Sequence, residues 1–556
     1  AAAALAASFW SLMYSRTGIR HILTPVLALG VFYFLSKQLT VISNQSKKAR
    51  LITDYRPLIT AAFLGLGYYT YFASRGVPLI LIAFAAYLWL FYRPFFRHRW
   101  QGIAVALGLS LIFAIPLILT LQQQPESEAR VAELAVPIVE ARKGNFEPLQ
   151  EFTIVTLSMF HSDGDDEWLY NIPHRPVFGT VGAIFFWFGI LIVFWQAFSP
   201  LIKKSSVTPR QAQAAALLLL WWLAGISPGF ISVPPASLGH TIMAQPAVFL
   251  LAALPVWLIG EWLIKNWRFE VRRQLPISNP QSLISVILGF LLITNIALRD
   301  WPDYFREWPQ RGMVRFLYRA DIHDVADYLN ENPDLTDFGM TGLLAGSWDK
   351  LALTADLDNP TDHHPRWYNP QRALLLNPPN SFSGYPDVDN PYDASYQPLV
   401  DIAGGYELTE VVAAIDAAEG ICFANGLCWQ TAVYDSTTQH LELGWTVGTP
   451  LQLPDIPLIS NPPPPGVYSG SRLRVFGQLH DADQNFLAGD DGLWVDPTTL
   501  QVGDIFLQQH WLTLPEGTVA ETAVIGLYDP KTGERILTED GRDFIRLSLA
   551  EITHSR

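Results

Sequence analysis

With 556 residues, half of them hydrophobic and only 16% charged, the chain is too apolar for an ordinary soluble protein and fits one with much of its surface in lipid. The formal charge of −14 argues against nucleic acid as a partner, because gripping a polyphosphate takes a basic surface. The average conceals two populations: residues 1–300 are apolar with basic connecting segments, whereas 301–556 are polar and rich in Asp and Pro.

The opening AAAALAASFW has no initiator Met, basic n-region or cleavage site, so it does not read as a signal peptide. Residues 1–14 are expected to be the second half of a further span, with more chain upstream. Apolar stretches long enough to cross a bilayer then predict about eight complete spans, near 21–42, 57–73, 77–92, 100–120, 176–198, 211–227, 241–264 and 281–297. Threaded alternately, they put Lys47, Lys48, Arg50 and Arg56, then Arg93, Arg97 and Arg99, then Lys203, Lys204 and Arg210, then Lys265, Arg268, Arg272 and Arg273 on one face. The positive-inside rule makes that face cytoplasmic. The other face receives the loop 121–175 and everything after residue 298. The chain is therefore expected to be a polytopic α-helical membrane protein with an extracytoplasmic C-terminal region.

A cation on the outer face runs against the usual bias and asks for a reason. Arg16, Arg20, Arg75, His174, Arg175 and His240 are the exceptions. Gathered on one surface, they suit a lipid phosphate, because a guanidinium offers planar paired donors. The ordinary alternative is that each snorkels or pairs with a nearby acid. In the loop 121–175, MFHSDGDDEWLYNIPHRP concentrates His161, Asp163, Asp165, Asp166 and Glu167. That density reads as a divalent-cation site, as a source of a general base with Asp163 and Asp165 the candidates, or as a solvated turn.

Residues 301–461 read as a mixed α/β and loop region. Asp321 and Asp324 are placed to cap a short helix whose Ile322, Val325, Ala326 and Leu329 share one face, and 356–398, crowded with Asn, Asp, Pro, Tyr and Trp, is expected to form loops. Asp362, His363 and His364 lack a second cluster at ligand spacing and read as a solvated loop. Cys422 and Cys428 are either a disulfide closing a short loop or two free thiols, since spacing does not fix geometry. After a Pro linker at 462–465, residues 466–556 are predicted to form a small antiparallel β-sandwich. Leu473, Val475, Gly477 and Leu479 alternate with polar residues, and DPKTG at 529–533 sits between two strands as a hairpin turn. Asp481, Asp483 and Asn485 start like a calcium loop, but Phe486 stands where Gly is needed and Gly492 where Glu is needed.

The stretches FWSLMYSRTGIRHILTPVLAL, GLGYYTYFASRGVPLIL, EWLYNIPHRPVFG, SPGFISVPPASLGHTIMAQPAV, DYFREWPQ and HPRWYNPQRALLLNP resemble, in this order, the polyprenyl-phosphate-sugar-dependent membrane glycosyltransferases related to protein O-mannosyltransferases and lipid A aminoarabinose transferases. RLRVFGQLHDADQNFLAGDD, GDIFLQQHWLTLP and IGLYDPKTGERIL look like the β-domain appended to many bacterial members. The resemblance implies a GT-C-like membrane domain over 1–300 in a bacterial-type cytoplasmic membrane, taking a sugar from a polyprenyl-phosphate donor to a hydroxyl of a glycan, lipid or protein acceptor. It implies no cofactor beyond that lipid-linked sugar phosphate, and leaves a divalent cation undecided. On this reading Arg16, Arg20, Arg75, Arg175 and His240 approach the phosphate, Tyr68 and Tyr71 line the cavity, and Asn171 and His174 lie at the sugar or headgroup. Relatives carry their catalytic acid in an external loop before the point where this chain starts, and many carry Arg where His240 stands. The alternative of another class is a non-catalytic subunit of a membrane assembly. No internal repeat supports a transporter.

Overall fold

The computed structural model describes residues 1–40, 55–123, 135–202, 205–266, 280–342, 347–384, 390–402, 405–415, 420–453 and 473–553. Lys47, Lys48, Arg50, Lys203, Lys204, Arg268, Arg272, Arg273 and the Pro run 462–465 lie outside these, as do the side chains of Arg20 and Lys265. The chain divides into two compact units, Ala1–Val314 and Arg315–Arg556.

The first unit is helical: α1 Ala2–Ala7, α2 Phe9–Arg16, α3 Leu23–Thr40, α4 Arg56–Gly67, α5 Val77–Phe91, α6 Arg93–Gln123, α7 Val136–Arg142, α8 Glu147–Ser158, α9 Thr180–Phe198, α10 Pro209–Ile231, α11 Gln245–Asn266 and α12 Pro280–Pro302. Several start where the sequence pre-sets the first turn. Pro57, Pro78 and Pro148 sit at the first positions of their helices, and Thr208 and Gln211 form a reciprocal capping box before α10.

Among the described residues six helices are long and apolar enough to cross a membrane: Phe72–Phe91, Arg93–Gln123, Thr180–Leu201, Pro209–Ile231, Ile242–Trp262 and Ser285–Glu307. These make the protein an integral membrane protein by length and composition. Two of the eight expected spans appear as shorter apolar helices, Leu23–Leu39 and Arg56–Gly67. The second ends where Gly65 and Gly67 give way to a turn and Tyr71 adopts extended backbone. Residues 1–14, expected as half a span, are two helices broken at Ser8, which is extended and caps Ser11 N–H with its own hydroxyl.

Small residues set the helix crossings, as they do where lipid supplies no hydrophobic drive between helices. A Cβ on Gly189 of α9 would stand 2.0 Å from the Leu251 carbonyl oxygen of α11, and one on Gly225 of α10 would stand 2.6 Å from Ala244. The outward face of α9 carries exposed Ile184, Phe188, Leu191 and Phe194, while Phe186, Gly189 and Val193 face the core.

The second unit continues with α13 Gly312–Leu317, begun in the first, then α14 Ala320–Glu331, β1 Asp337–Thr341, α15 Ser347–Asp356, β2 His364–Tyr368, β3 Ala373–Asn377, β4 Asn380–Gly384, β5 Tyr396–Ile402, β6 Tyr406–Val411, β7 Ile421–Cys422, β8 Leu427–Asp435, β9 His440–Val447, β10 Arg474–His480, β11 Phe486–Gly492, β12 Ile505–Trp511, β13 Thr522–Tyr528, β14 Arg535–Ile536, β15 Ile545–Ser548 and α16 Leu549–Ile552. It is rich in antiparallel sheet. One mixed sheet runs β2-β1-β4-β6-β5, with β1 parallel to β2 and β4; a second runs β11-β10-β13-β14 with β15 on β13; a third runs β3-β12-β9-β8-β7. Ile322, Val325, Ala326 and Leu329 of α14 are buried against Phe338, Met340 and Phe382 of the mixed sheet, as their shared face predicts.

Three expectations are corrected. Arg319, in left-handed backbone, is the N-cap residue of α14 and makes no side-chain cap; Asp321 lies in the first turn on Arg319, and Asp324 pairs with Arg315. The segment 356–398 carries β2, β3, β4 and the start of β5 rather than loops, because its Trp367, Tyr368, Leu374 and Phe382 are core residues interleaved among polar ones. The strands of 466–556 do not pair only with one another: β12 lies between β3 and β9, so residues from 373 to 447 complete its sheet. Val475, Leu479, Ile525 and Leu527 share one core with Leu441, Leu443, Trp445 and Phe506. The hairpin at 529–533 is as predicted, with Gly533 at positive φ and Tyr528 opposite Arg535.

Candidate functional site

The loop after α8 is folded back on itself. Val177 N–H donates to Met159 O at 2.8 Å, Gly164 N–H to His174 O at 3.1 Å, and His174 N–H to Asp165 O at 3.2 Å. A side chain at Gly164 would place Cβ 1.9 Å from the Arg175 carbonyl oxygen, so only glycine permits this closure. Asn171, fully buried, bridges the two arms by donating from Nδ2 to Asp165 O at 2.8 Å and Arg175 O at 2.9 Å.

Asp165 ties this loop to the segment 232–241. Its Oδ2 accepts Leu238 N–H at 2.7 Å and its Oδ1 accepts Glu167 N–H at 3.1 Å. Burial raises its carboxyl from the ordinary 3.8 to about 7, outweighing the two amide donors that favour the charged form. Both oxygens are engaged, so Asp165 is a structural latch. Asp163 differs: its side chain is half-exposed and faces His174 Nδ1 at 2.8 Å.

The exceptional cations separate into groups. Arg175 is buried, with Nε on Asp303 at 2.7 Å, Nη2 on Asp300 at 2.5 Å and its guanidinium 4.6 Å over the Phe9 ring. Asp300 also accepts Phe9 N–H at 2.8 Å, and Arg299 donates to Pro176 O and Val177 O. This knot fastens α2, the loop and the end of α12 together. Arg16 lies over Tyr304 and Phe305 at 5.8 and 5.5 Å. Arg75 lies 5.2 Å over Phe72, and His240 shares a 3.0 Å hydrogen bond with Ser232. Arg20 begins a 3-10 turn, Arg20–Ile22.

A second gathering is aromatic. The His21 ring lies 4.0 Å from Tyr71 and 6.2 Å from Tyr14, and Tyr14 stacks on Tyr170 at 5.7 Å. Tyr14 Oη would stand 2.9 Å from a Cβ on Gly239, the neighbour of His240. Three separated stretches of chain thus meet through phenol and imidazole rings, and a fourth passes Tyr14 at Gly239. Tyr68 is not among them; its hydroxyl pairs with Ser110 at 2.9 Å between helices. Beside the Ser74 turn, a narrow crevice is lined by Thr24, Ala28, Leu64, Gly67 and Val77.

Sequence reasoning missed Tyr14, His21, Tyr170, Asp300 and Asp303. The signal for the last two was present: acids stand at the end of the final span, on the same assigned face as the exceptional arginines. For the tyrosines and His21 no local pattern distinguishes a site from packing.

Among the described residues no group of three or more His, Cys, Asp or Glu side chains is arranged to hold a metal ion. Asp163 and Asp165 face different partners, His174 and the Leu238 amide, and His363 is buried on Leu335 O. Asp481 instead closes a tight turn by accepting from Asp483 and Asn485 N–H. Cys422 and Cys428 are joined as a disulfide. No family model, curated protein or solved structure matches the chain.

Proposed function

We infer that this chain is a membrane glycosyltransferase that moves a sugar from a polyprenyl-phosphate donor to an acceptor hydroxyl on the extracytoplasmic face. One observation carries the reading: of the four stretches that resemble such transferases, three contribute rings that meet in one chain, Tyr170 on Tyr14, Tyr14 against His21 and His21 against Tyr71, and the fourth passes Tyr14 at Gly239, the neighbour of His240. In the reaction the acceptor oxygen bonds to the anomeric carbon as the bond from that carbon to the lipid phosphate breaks. The acceptor proton passes to a carboxylate, and donors neutralise the departing phosphate. Of the two visible acids, Asp163 is accessible and Asp165 is not. His21, Tyr71, Arg75 and His240 suit the phosphate, and Arg175 positions the loop through its acids. On this reading the two short apolar helices complete a GT-C-like set of spans, the C-terminal unit lies outside a bacterial-type cytoplasmic membrane, and its sheets form a sandwich that presents the acceptor.

Polyprenyl phosphate binding tests this directly. The full chain in nanodiscs should bind it, and Tyr71→Ala and His21→Ala should each weaken binding roughly tenfold, the loss of one good phosphate contact. Wild-type affinity in both variants would refute the site. A second reading, a non-catalytic membrane scaffold, is favoured by the engagement of Arg175 with Asp300 and Asp303. It predicts no polyprenyl phosphate binding at all.

A further inference from the structure

The exposed face of α12 continues past the apolar run of its span. Ile287, Phe290, Leu291, Leu298 and Trp301 recur at helical spacing as one exposed stripe, with Leu298 73% exposed, and Phe305 at 52% extends it into the π-helical turn Asp303–Glu307. Such a stripe in water would be a large apolar patch; on a span it is the face turned to lipid, and its Trp and Phe end marks the interface.

Two guanidinium groups accompany that end. Arg16 lies 5.5 Å over the Phe305 ring, held there by cation–π attraction, and Arg306 is exposed beside Phe305 in the chain. Neighbouring arginines all have acids: Arg175 has Asp300 and Asp303, Arg299 has Asp300, and Arg311 has Glu307. Among the described residues no carboxylate lies within ion-pair distance of Arg16 or Arg306. The acids at this corner are taken by other arginines, which leaves two cations next to exposed aromatic rings at a span end.

We propose that this corner binds an anionic phospholipid of the surrounding leaflet, with Arg16 and Arg306 on the phosphodiester and Trp301 and Phe305 against the first acyl segments. Guanidinium matches phosphate oxygens with paired donors, and the stripe below continues the apolar path an acyl chain follows. None of its residues belongs to the Tyr14, His21 and Tyr71 group, and the proposal holds whether or not the chain is a transferase.

Full chain released from nanodiscs of mixed phosphatidylcholine and phosphatidylglycerol, examined by native mass spectrometry, should retain phosphatidylglycerol preferentially. Arg16→Gln with Arg306→Gln should cut that retention roughly thirtyfold, two interfacial cations being lost, whereas Arg142→Gln on α7 should not. The Lys/Lys double variant, which keeps charge and loses the planar fork, should retain an intermediate amount, which separates loss of binding from loss of folding. An environment-sensitive dye on Phe305→Cys, Cys422 and Cys428 being joined as a disulfide and so unreactive, should be quenched by shallow spin-labelled lipid; the same dye on Lys531→Cys should not. Equal phosphatidylglycerol retention in wild type and the Gln double variant, quenching no stronger than at position 531, or displacement of phosphatidylglycerol by polyprenyl phosphate would each overturn the proposal.

Discussion

Replacing Arg175 by Met separates a structural role from a phosphate-binding one. The side chain is only 8% exposed and bonds Asp300, itself 2% exposed, and Asp303, which is 31% exposed. Removing one partner of a buried pair costs about 3–5 kcal/mol, because the remaining charge stays desolvated. Here Asp300 keeps Phe9 N–H at 2.8 Å and has Arg299 at 3.6 Å, so the lower end applies, about 3 kcal/mol. The half-exposed Asp303 adds less than about 1 kcal/mol. Asp300→Asn keeps the Phe9 bond and loses the charge, at about 2 kcal/mol. In the double variant neither charge is left uncompensated, and its cost should stay near 3 kcal/mol rather than the sum, a coupling of about 2 kcal/mol. Equilibrium unfolding in mixed SDS and mild-detergent micelles, followed by tryptophan fluorescence, measures all four corners of this cycle. Additivity to within about 0.5 kcal/mol would refute the ion knot. So would an Arg175→Met protein as stable as wild type.

Asp165 gives a pH signature. Its carboxyl titrates near 7 in the fold and near 3.8 when exposed, so between about pH 4 and 7 the native state binds the extra proton and stability falls as pH rises, by up to about 4 kcal/mol. Asp165→Asn should flatten this dependence in melting curves taken across that window; parallel wild-type and variant profiles would count against it. Gly189→Ala should destabilise by roughly 1–3 kcal/mol, since its Cβ would stand 2.0 Å from Leu251 O and must drive α9 from α11. Gly108→Ala on α6, with nothing within 4 Å, should instead be neutral or stabilise by about 0.5–1 kcal/mol, and equal effects of the two would disprove the close crossing.

Legibility followed locality. Runs of apolar residues announced the long helices, the 3.6-residue spacing of Ile322, Val325, Ala326 and Leu329 announced the buried face of α14, and DPKTG announced its hairpin, because each signal is complete within a dozen residues. The break at Ser8 was missed: a serine inside an apolar run reads as a tolerated polar residue until its hydroxyl is seen capping Ser11. In 356–398 Pro and Asn dominated the reading, and the core residues between them were too short a series to show a period.

Composition and periodicity by themselves made this a membrane protein that ends in a β-region, since transfer free energy and backbone hydrogen bonding act on every segment independently of its neighbours. Tertiary structure alone decided which strands share a sheet, with β12 between β3 and β9, because many alternating strands can pair and only the joint burial of Trp445, Phe506 and Val475 selects one arrangement. It also decided the fate of the cations. A guanidinium in a sequence is a charge of known sign with an unknown partner, and only the approach of Asp300 and Asp303 to Arg175, and of Phe305 to Arg16, determines what each one holds.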